Sequence, residues 1–188
     1  MMKKTLSLLM LFTAIFTSKA QTEISGVDVA ERITIGGESL LLNGAGLREK
    51  LWIDLYVGSL YLETKMNNAT KIMNDDSAMA LKLHIVSKLV TSEKMSSAVT
   101  EGFEKSTNGD MTSLTKEIAT FIDIFKKEPI VKGDIFDLLY KPETGVVVYK
   151  NGKIAGTIKG LEFKKALFGI WLCDRPADKG LKKAMLGS

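Results

Sequence analysis

Nucleophilic or acid–base catalysis in this 188-residue chain would have to run through its single histidine, His84, or its single cysteine, Cys173. A Ser–His or Cys–His pair needs His84 as its base. That residue sits inside the alternating stretch Ala80–Val86, on the face of Lys82 and Val86, which is the setting of a solvated or hydrogen-bonded structural histidine. Cys173 follows an apolar segment ending at Trp171-Leu172 and has no second thiol to pair with, so it reads as an inert, buried or half-buried side chain. One His and one Cys also fall short of a metal-ligand set. A phosphate cradle needs a glycine-rich loop that opens a helix, whereas Gly36-Gly37 and Gly44-Ala45-Gly46 lead into strands. The expectation is a protein with no metal and no cofactor.

The cation that stands out is Arg48, behind Gly44-Ala45-Gly46-Leu47, with Tyr56 eight residues further on. Two glycines ahead of an arginine allow a sharp bend and a close backbone approach, which would aim the side chain back across a sheet. A guanidinium keeps its charge at any relevant pH and presents a planar fork that matches a carboxylate. Buried without an anion it is costly, so an apolar cleft that holds one suits an anionic head group. Each charge-assisted hydrogen bond to that head is worth ~1.5–3 kcal/mol, and each buried CH2 of a tail ~0.8 kcal/mol. A tail of about eight carbons outweighs the head in gross stabilisation, so the head orients and the tail sets affinity. Eight extended residues reach ~27 Å. Arg48 and Tyr56 can therefore share a ligand only if the chain bends at Glu49-Lys50. The competing arrangement pairs Arg48 with Asp54 or Glu49 at the surface and leaves Tyr56 in the core.

Positioning such a pair takes a sheet. Val27–Ile35 alternates up to the turn signal Gly36-Gly37, Glu38–Asn43 runs into the glycines, and Leu51–Glu63 is rich in β-branched and aromatic residues. Asn67–Asn74 predicts a short helix and Ala80–Val86 a further strand. A helix start at Thr91-Ser92-Glu93-Lys94 leads to about Ser106, with Met95, Val99 and Phe103 on one face. A second helix spans Ser113–Lys127, with Leu114, Ile118, Phe121, Ile122 and Phe125 as its stripe and Pro129 as its stop. Strands over Asp134–Tyr140, Val146–Lys150 and Lys153–Ile158 follow, the last two joined by Asn151-Gly152, a pair suited to a two-residue hairpin turn. Gly160–Leu172 predicts a helix with Phe163, Leu167, Phe168 and Trp171 inward, and Leu181–Leu186 a last amphipathic turn or two. With no repeat, low-complexity tract or linker, the pattern is one α+β domain, an antiparallel sheet with helices gathered on one face.

The N-terminus reads as a cleavable signal peptide over residues 1–20, with the domain occupying 21–188. Met1-Met2-Lys3-Lys4 is a charged start, Thr5–Phe16 is apolar, and Thr17-Ser18-Lys19-Ala20 offers a small-residue cleavage site before Gln21. About 12 residues at helical rise cover about 18 Å of a ~30 Å bilayer core, so no stable membrane span is expected after cleavage. The expected location is the periplasm of a Gram-negative bacterium, or outside the cell. Cleavage removes Lys3, Lys4 and Lys19, so 26 basic residues become 23 against 22 acidic ones, a net charge of about +1. A basic face for nucleic acid loses its support. With 45 % hydrophobic residues, the domain can bury a core without disulfides.

The order of these features resembles a known family. Gly44-Ala45-Gly46-Leu47-Arg48, then a strand ending Gly58-Ser59-Leu60-Tyr61-Leu62-Glu63, is similar to the chalcone isomerase family, in particular its bacterial chalcone-isomerase-like branch. The tail adds Gly160–Phe163, Ala166–Leu172, Arg175-Pro176 and Leu181–Gly187, so the resemblance covers essentially the whole domain. It implies an open-faced β-sandwich, a large antiparallel sheet with helices on one face and a cleft between. Plant members close a flavanone ring by intramolecular oxa-Michael addition. Their arginine holds the substrate phenolate and a strand threonine supports the carbonyl. Arg48 matches that arginine, the threonine position falls on Tyr56, and Ser92–Glu101 offers no equivalents of the plant enzymes' helix residues. The fatty-acid-binding branch carries an arginine and a tyrosine at these two positions. The resemblance thus implies a non-catalytic binder of a fatty acid or similar carboxylate amphiphile, with an isomerase or intramolecular lyase acting through Arg48 and Tyr56 on a chalcone-like or other enone substrate as the alternative. A third possibility is an envelope protein that acts through a surface patch.

Overall fold

Strand β3 (Arg32–Ile35) reverses at Gly36-Gly37 into β4 (Glu38–Lys50), and every later strand pairs antiparallel with the one before it. β5 (Ile53–Leu62), β6 (Met79–Ile85), β7 (Ile135–Lys141), β8 (Gly145–Lys150) and β9 (Lys153–Ile158) complete a seven-stranded meander in chain order. This computed structural model describes residues 22–187. The expected signal peptide, residues 1–20, lies outside them.

Helices occupy the long connections. α1 (Ala69–Asn74) links β5 to β6. α2 (Ser92–Ser106), a 3-10 turn and α3 (Thr115–Lys126) link β6 to β7, and α4 (Leu161–Leu172) and α5 (Lys179–Met185) follow β9. The strand period of two sends Leu81, Leu83 and Ile85 of β6 towards these helices and Ala80, Lys82 and His84 away from them. The main core lies between sheet and helices. It includes Phe103, Phe121, Phe125, Phe163 and Phe136, whose rings follow one another at centroid distances of 5.2–6.0 Å. Among the described residues, no helical one enters the two smaller clusters on the opposite face. The architecture is the α+β, helix-on-one-face sheet expected.

Three details differ from expectation. Val27–Ile35 is not one strand: it breaks at Ala30-Glu31, and β1 (Thr22–Ile24) with β2 (Val27–Val29) forms a separate hairpin. Val27 and Val29 pack on Val57, covering part of the outer face that a single edge strand would leave bare. The stripe of α3 is rotated towards Ile124, which is buried, while Leu114 and Ile122 are half-buried, because a 3-10 turn at Thr112–Leu114 displaces the start of the helix. The third difference concerns β4 and belongs to the site.

Candidate ligand-binding site

β4 runs through Gly44-Ala45-Gly46 without turning. These glycines serve contact rather than bending. A Cβ on Gly44 would stand 2.1 Å from the Ala184 carbonyl oxygen, and one on Gly46 2.7 Å from the Ala184 Cβ, so their bareness lets α5 lie directly on the strand. Asn43 is the extra residue of a bulge between the pairs Leu42–Tyr61 and Gly44–Leu60. Its Nδ2 donates to the carbonyls of Met66 (2.8 Å) and Met185 (2.7 Å), and its Oδ1 accepts from the Met66 N–H (2.7 Å). The chain reverses at Leu51-Trp52, not at Glu49-Lys50. Both turn residues have positive φ, 52° and 65°, the twist a two-residue hairpin favours. A second bulge, at Leu55, brings Arg48 directly opposite Tyr56.

The two side chains meet on the face that looks towards the helices. Arg48 Nη1 donates to the Tyr56 hydroxyl at 3.2 Å, and its Cζ lies 5.5 Å from the ring centroid. From α4, Trp171 Nε1 donates to the same hydroxyl at 2.8 Å. Tyr56 is only 2 % exposed, yet with its oxygen accepting two hydrogen bonds its own proton remains to be given. Arg48 is half-buried, and its buried Nε meets no acceptor among the described residues. The competing surface pair is absent: Asp54 accepts from Ser25 Oγ at 2.8 Å, and neither Asp54 nor Glu49 is bridged to Arg48.

This pair stands on the wall of a cleft of about 520 Å3 between the β4–β5 hairpin and α2, a size typical of small-molecule sites. Leu55, Val90, Met95 and Ala98 form apolar walls, while Leu51, Ile53 and Leu89, all exposed, mark its rim. The cleft also touches Glu101. Lys105, hydrogen bonded to it at 2.5 Å, holds that carboxyl below its ordinary value, and the charges of Lys50 and Arg48 add smaller pulls in the same direction. Glu101 is thus engaged by Lys105 and leaves the Arg48 fork open.

The other residues singled out lie elsewhere. His84 is on the outer face of the sheet, opposite Val57, where burial and then the Lys82 charge hold its imidazole below the usual value. Cys173 is half-buried just beyond α4, and its carbonyl accepts from Lys182 Nζ at 2.9 Å. Among the described residues no group of three or more His, Cys, Asp or Glu is placed to hold a metal, and no helix is long and apolar enough to cross a membrane. Trp171 is the site residue that the sequence concealed. Its helical period marks it as inward-facing, but nothing local shows that its indole N–H reaches a strand 115 residues earlier.

Comparison with known proteins adds two findings. A family model described as chalcone isomerase-like matches residues 21–187. The crystal structure of a fatty-acid binding protein from Arabidopsis thaliana superposes with a TM-score of 0.68 at 21 % identity, covering 86 % of this chain and 92 % of that one, which establishes a shared fold. No curated protein sequence matches the chain.

Proposed function

The chain belongs to the chalcone isomerase-like family, and within that family we propose a non-catalytic member that binds a fatty acid or similar carboxylate amphiphile. The observation that carries this reading is the Arg48–Tyr56 pair on the wall of an apolar cleft, with unspent donors on both side chains. A carboxylate placed there takes charge-assisted hydrogen bonds from the guanidinium and the tyrosine proton, while Trp171 fixes the hydroxyl that presents it. The tail lies along Leu55, Val90, Met95 and Ala98, leading out towards Leu51 and Leu89. A fatty-acid binding protein that shares this fold supports the choice of ligand class.

The same two donors would suit an isomerase, with Arg48 on a phenolate and Tyr56 on a developing enolate oxygen. Binding is preferred because Ser92–Glu101 of α2, which lines the cleft, supplies no equivalents of the helix residues of the plant enzymes. We also assign the chain to the bacterial branch and to the periplasm or the cell exterior, on the leader-like residues 1–20 and the closing helices.

Displacement of a fluorescent fatty acid is the direct test. Wild type binds, and Arg48→Ala binds about 10- to 100-fold more weakly, the equivalent of one charge-assisted contact. Native mass spectrometry of protein purified from cells should show a co-purifying lipid that Arg48→Ala lacks. An empty wild type that displaces nothing overturns the proposal, and acceleration of chalcone cyclisation over buffer would establish the isomerase instead.

A further inference from the structure

The exposed large apolar side chains of the described residues are few, and most of them sit together. Among the described residues there are six, and Leu51 (80 % exposed), Trp52 (97 %), Ile53 and Leu89 belong to the hairpin tip and facing loop at one mouth of the cleft. The tip is also strained. Asn151-Gly152 makes the β8–β9 turn at positive φ with residues that tolerate it, whereas Leu51-Trp52 makes the same kind of turn with side chains that do not. A fold selected for stability alone would not keep a solvated tryptophan there. Strain held at an exposed apolar tip points to a task for the side chains.

Resting on the ligand class argued above, we propose that the Leu51–Trp52 tip, with Ile53 and Leu89, docks the protein on a phospholipid bilayer, from which the cleft takes up its ligand. Trp52 has the amphipathic ring that settles at a membrane–water interface. Lys50, Lys88 and Lys94 flank the patch and are offset by Glu49, Glu93 and Asp54, while Glu101 pairs with Lys105, so the apolar tip and not a net charge carries the docking. Long lysine stems can lie along the apolar surface and lift their charge to the phosphates. The dimensions single out a bilayer. Interfacial segments sink ~5–10 Å, and Arg48 stands three strand residues from Leu51, ~10 Å. With the tip at that depth the Arg48–Tyr56 pair is level with the head groups, where a fatty-acid carboxylate resides. The acid then enters head first, and its tail follows past Leu51 and Leu89 without crossing water.

The test uses the protein as purified from cells and co-sedimentation with phosphatidylcholine vesicles. Wild type sediments with the vesicles, and Trp52→Ser does so at least about tenfold more weakly. Trp52 is not on the cleft wall, so Trp52→Ser displaces a soluble fluorescent fatty acid as wild type does. Trp52→Gly relieves the turn, raises the melting temperature and still loses vesicle affinity, the signature of a residue kept at the expense of stability. Equal sedimentation of wild type and Trp52→Ser overturns the proposal. So does a concentration-dependent dimer, abolished by Trp52→Ser, in a protein that ignores vesicles. Docking that persists in a wild type unable to bind fatty acid supports the surface and overturns only the ligand.

Discussion

The Tyr56 hydroxyl lies between two donors of different kinds, the Arg48 guanidinium and the Trp171 indole, and losing it has two separable consequences. Tyr56→Phe leaves the buried indole N–H without its acceptor, which costs about 1–3 kcal/mol of folding stability. It also removes one ligand hydrogen bond, for a roughly tenfold loss of affinity. Arg48→Ala should lose more affinity and less stability, because Arg48 is half-buried and its Nε already lacks an acceptor among the described residues. Urea denaturation and ligand displacement on the two variants would separate these effects, and equal losses in both assays would count against a binding role for Arg48. Lys164 shows the opposite case, a fully buried cation with a structural task. Its ammonium donates to the carbonyls of Ile72 (2.9 Å), Met73 (3.0 Å) and Asp75 (2.6 Å), closing the end of α1, and lies over the rings of Tyr140 and Phe168. Burial pulls its pKa down to about 8, against the upward pull of Asp75 and Asp76. Between pH 8 and 10 the unfolded chain therefore holds this proton more firmly than the folded one, and the contribution of Lys164 to stability rises with pH. Lys164→Met should cost about 2–4 kcal/mol at pH 7, through carbonyls left unpaired, and should lack that rise. Urea midpoints at pH 7 and pH 9.5 read both effects.

At the scale of elements, the decisive contact is α5 lying on β4 and β5 over three bare positions. The distances rank the substitutions. A methyl on Gly44 meets backbone, the Ala184 oxygen, and has nowhere to go; on Gly46 it meets the Ala184 Cβ; on Gly58 it meets only side-chain ends, the Met185 Cε at 2.7 Å and the Leu181 Cδ atoms at 3.2–3.3 Å. Gly44→Ala should therefore cost about 3 kcal/mol, Gly58→Ala about 1 kcal/mol, and Gly46→Ala an intermediate amount, as overpacking of a close contact does. Chemical denaturation gives the order, and a Gly58→Ala variant less stable than Gly44→Ala would contradict this account of the stripe. The same elements show where a sequence informs and where it does not. Gly36-Gly37 and Asn151-Gly152 announce their turns because those residue types relieve positive φ, and both turns are where the pattern puts them. Leu51-Trp52 announces nothing, since its conformation is imposed on residues that disfavour it, and the reversal was expected two residues too early. Gly44 and Gly46 look like a bend because a glycine that frees φ and one that admits a neighbour are the same letter. The strand and helix periods recover the sheet and its helical face, but the separate β1–β2 hairpin depends on Val57, a partner distant in sequence.

For the whole molecule, the Arg48–Tyr56 pair was legible as two residues and not as a site. Their meeting depends on a hairpin turn, a bulge at Leu55 and an indole from α4, each settled only when sheet and helices pack. That dependence makes ligand binding and global stability the same measurement. The cleft is walled by β5 on one side and α2 on the other, so a ligand that fills it binds the folded form and not the unfolded chain. At about a hundred times its Kd such a ligand adds ~2.7 kcal/mol. For a chain of this size 1 kcal/mol moves the melting temperature by ~2–4 °C, so the expected rise is about 5–10 °C. Tail length should act as a ruler. Each added CH2 contributes up to ~0.8 kcal/mol while it is buried against Leu55, Val90, Met95 and Ala98, and nothing once the tail passes the Leu51–Leu89 rim. A series of linear fatty acids should raise the melting temperature stepwise and then level off, with methyl esters of the same lengths displaced downwards by loss of the charged head. Arg48→Ala should bring acids and esters together without moving the length at which the series levels, because head and tail are read by different residues. A plateau that shifts with Arg48→Ala, or acids and esters already equal in the wild type, would place the polar end of the ligand somewhere other than Arg48.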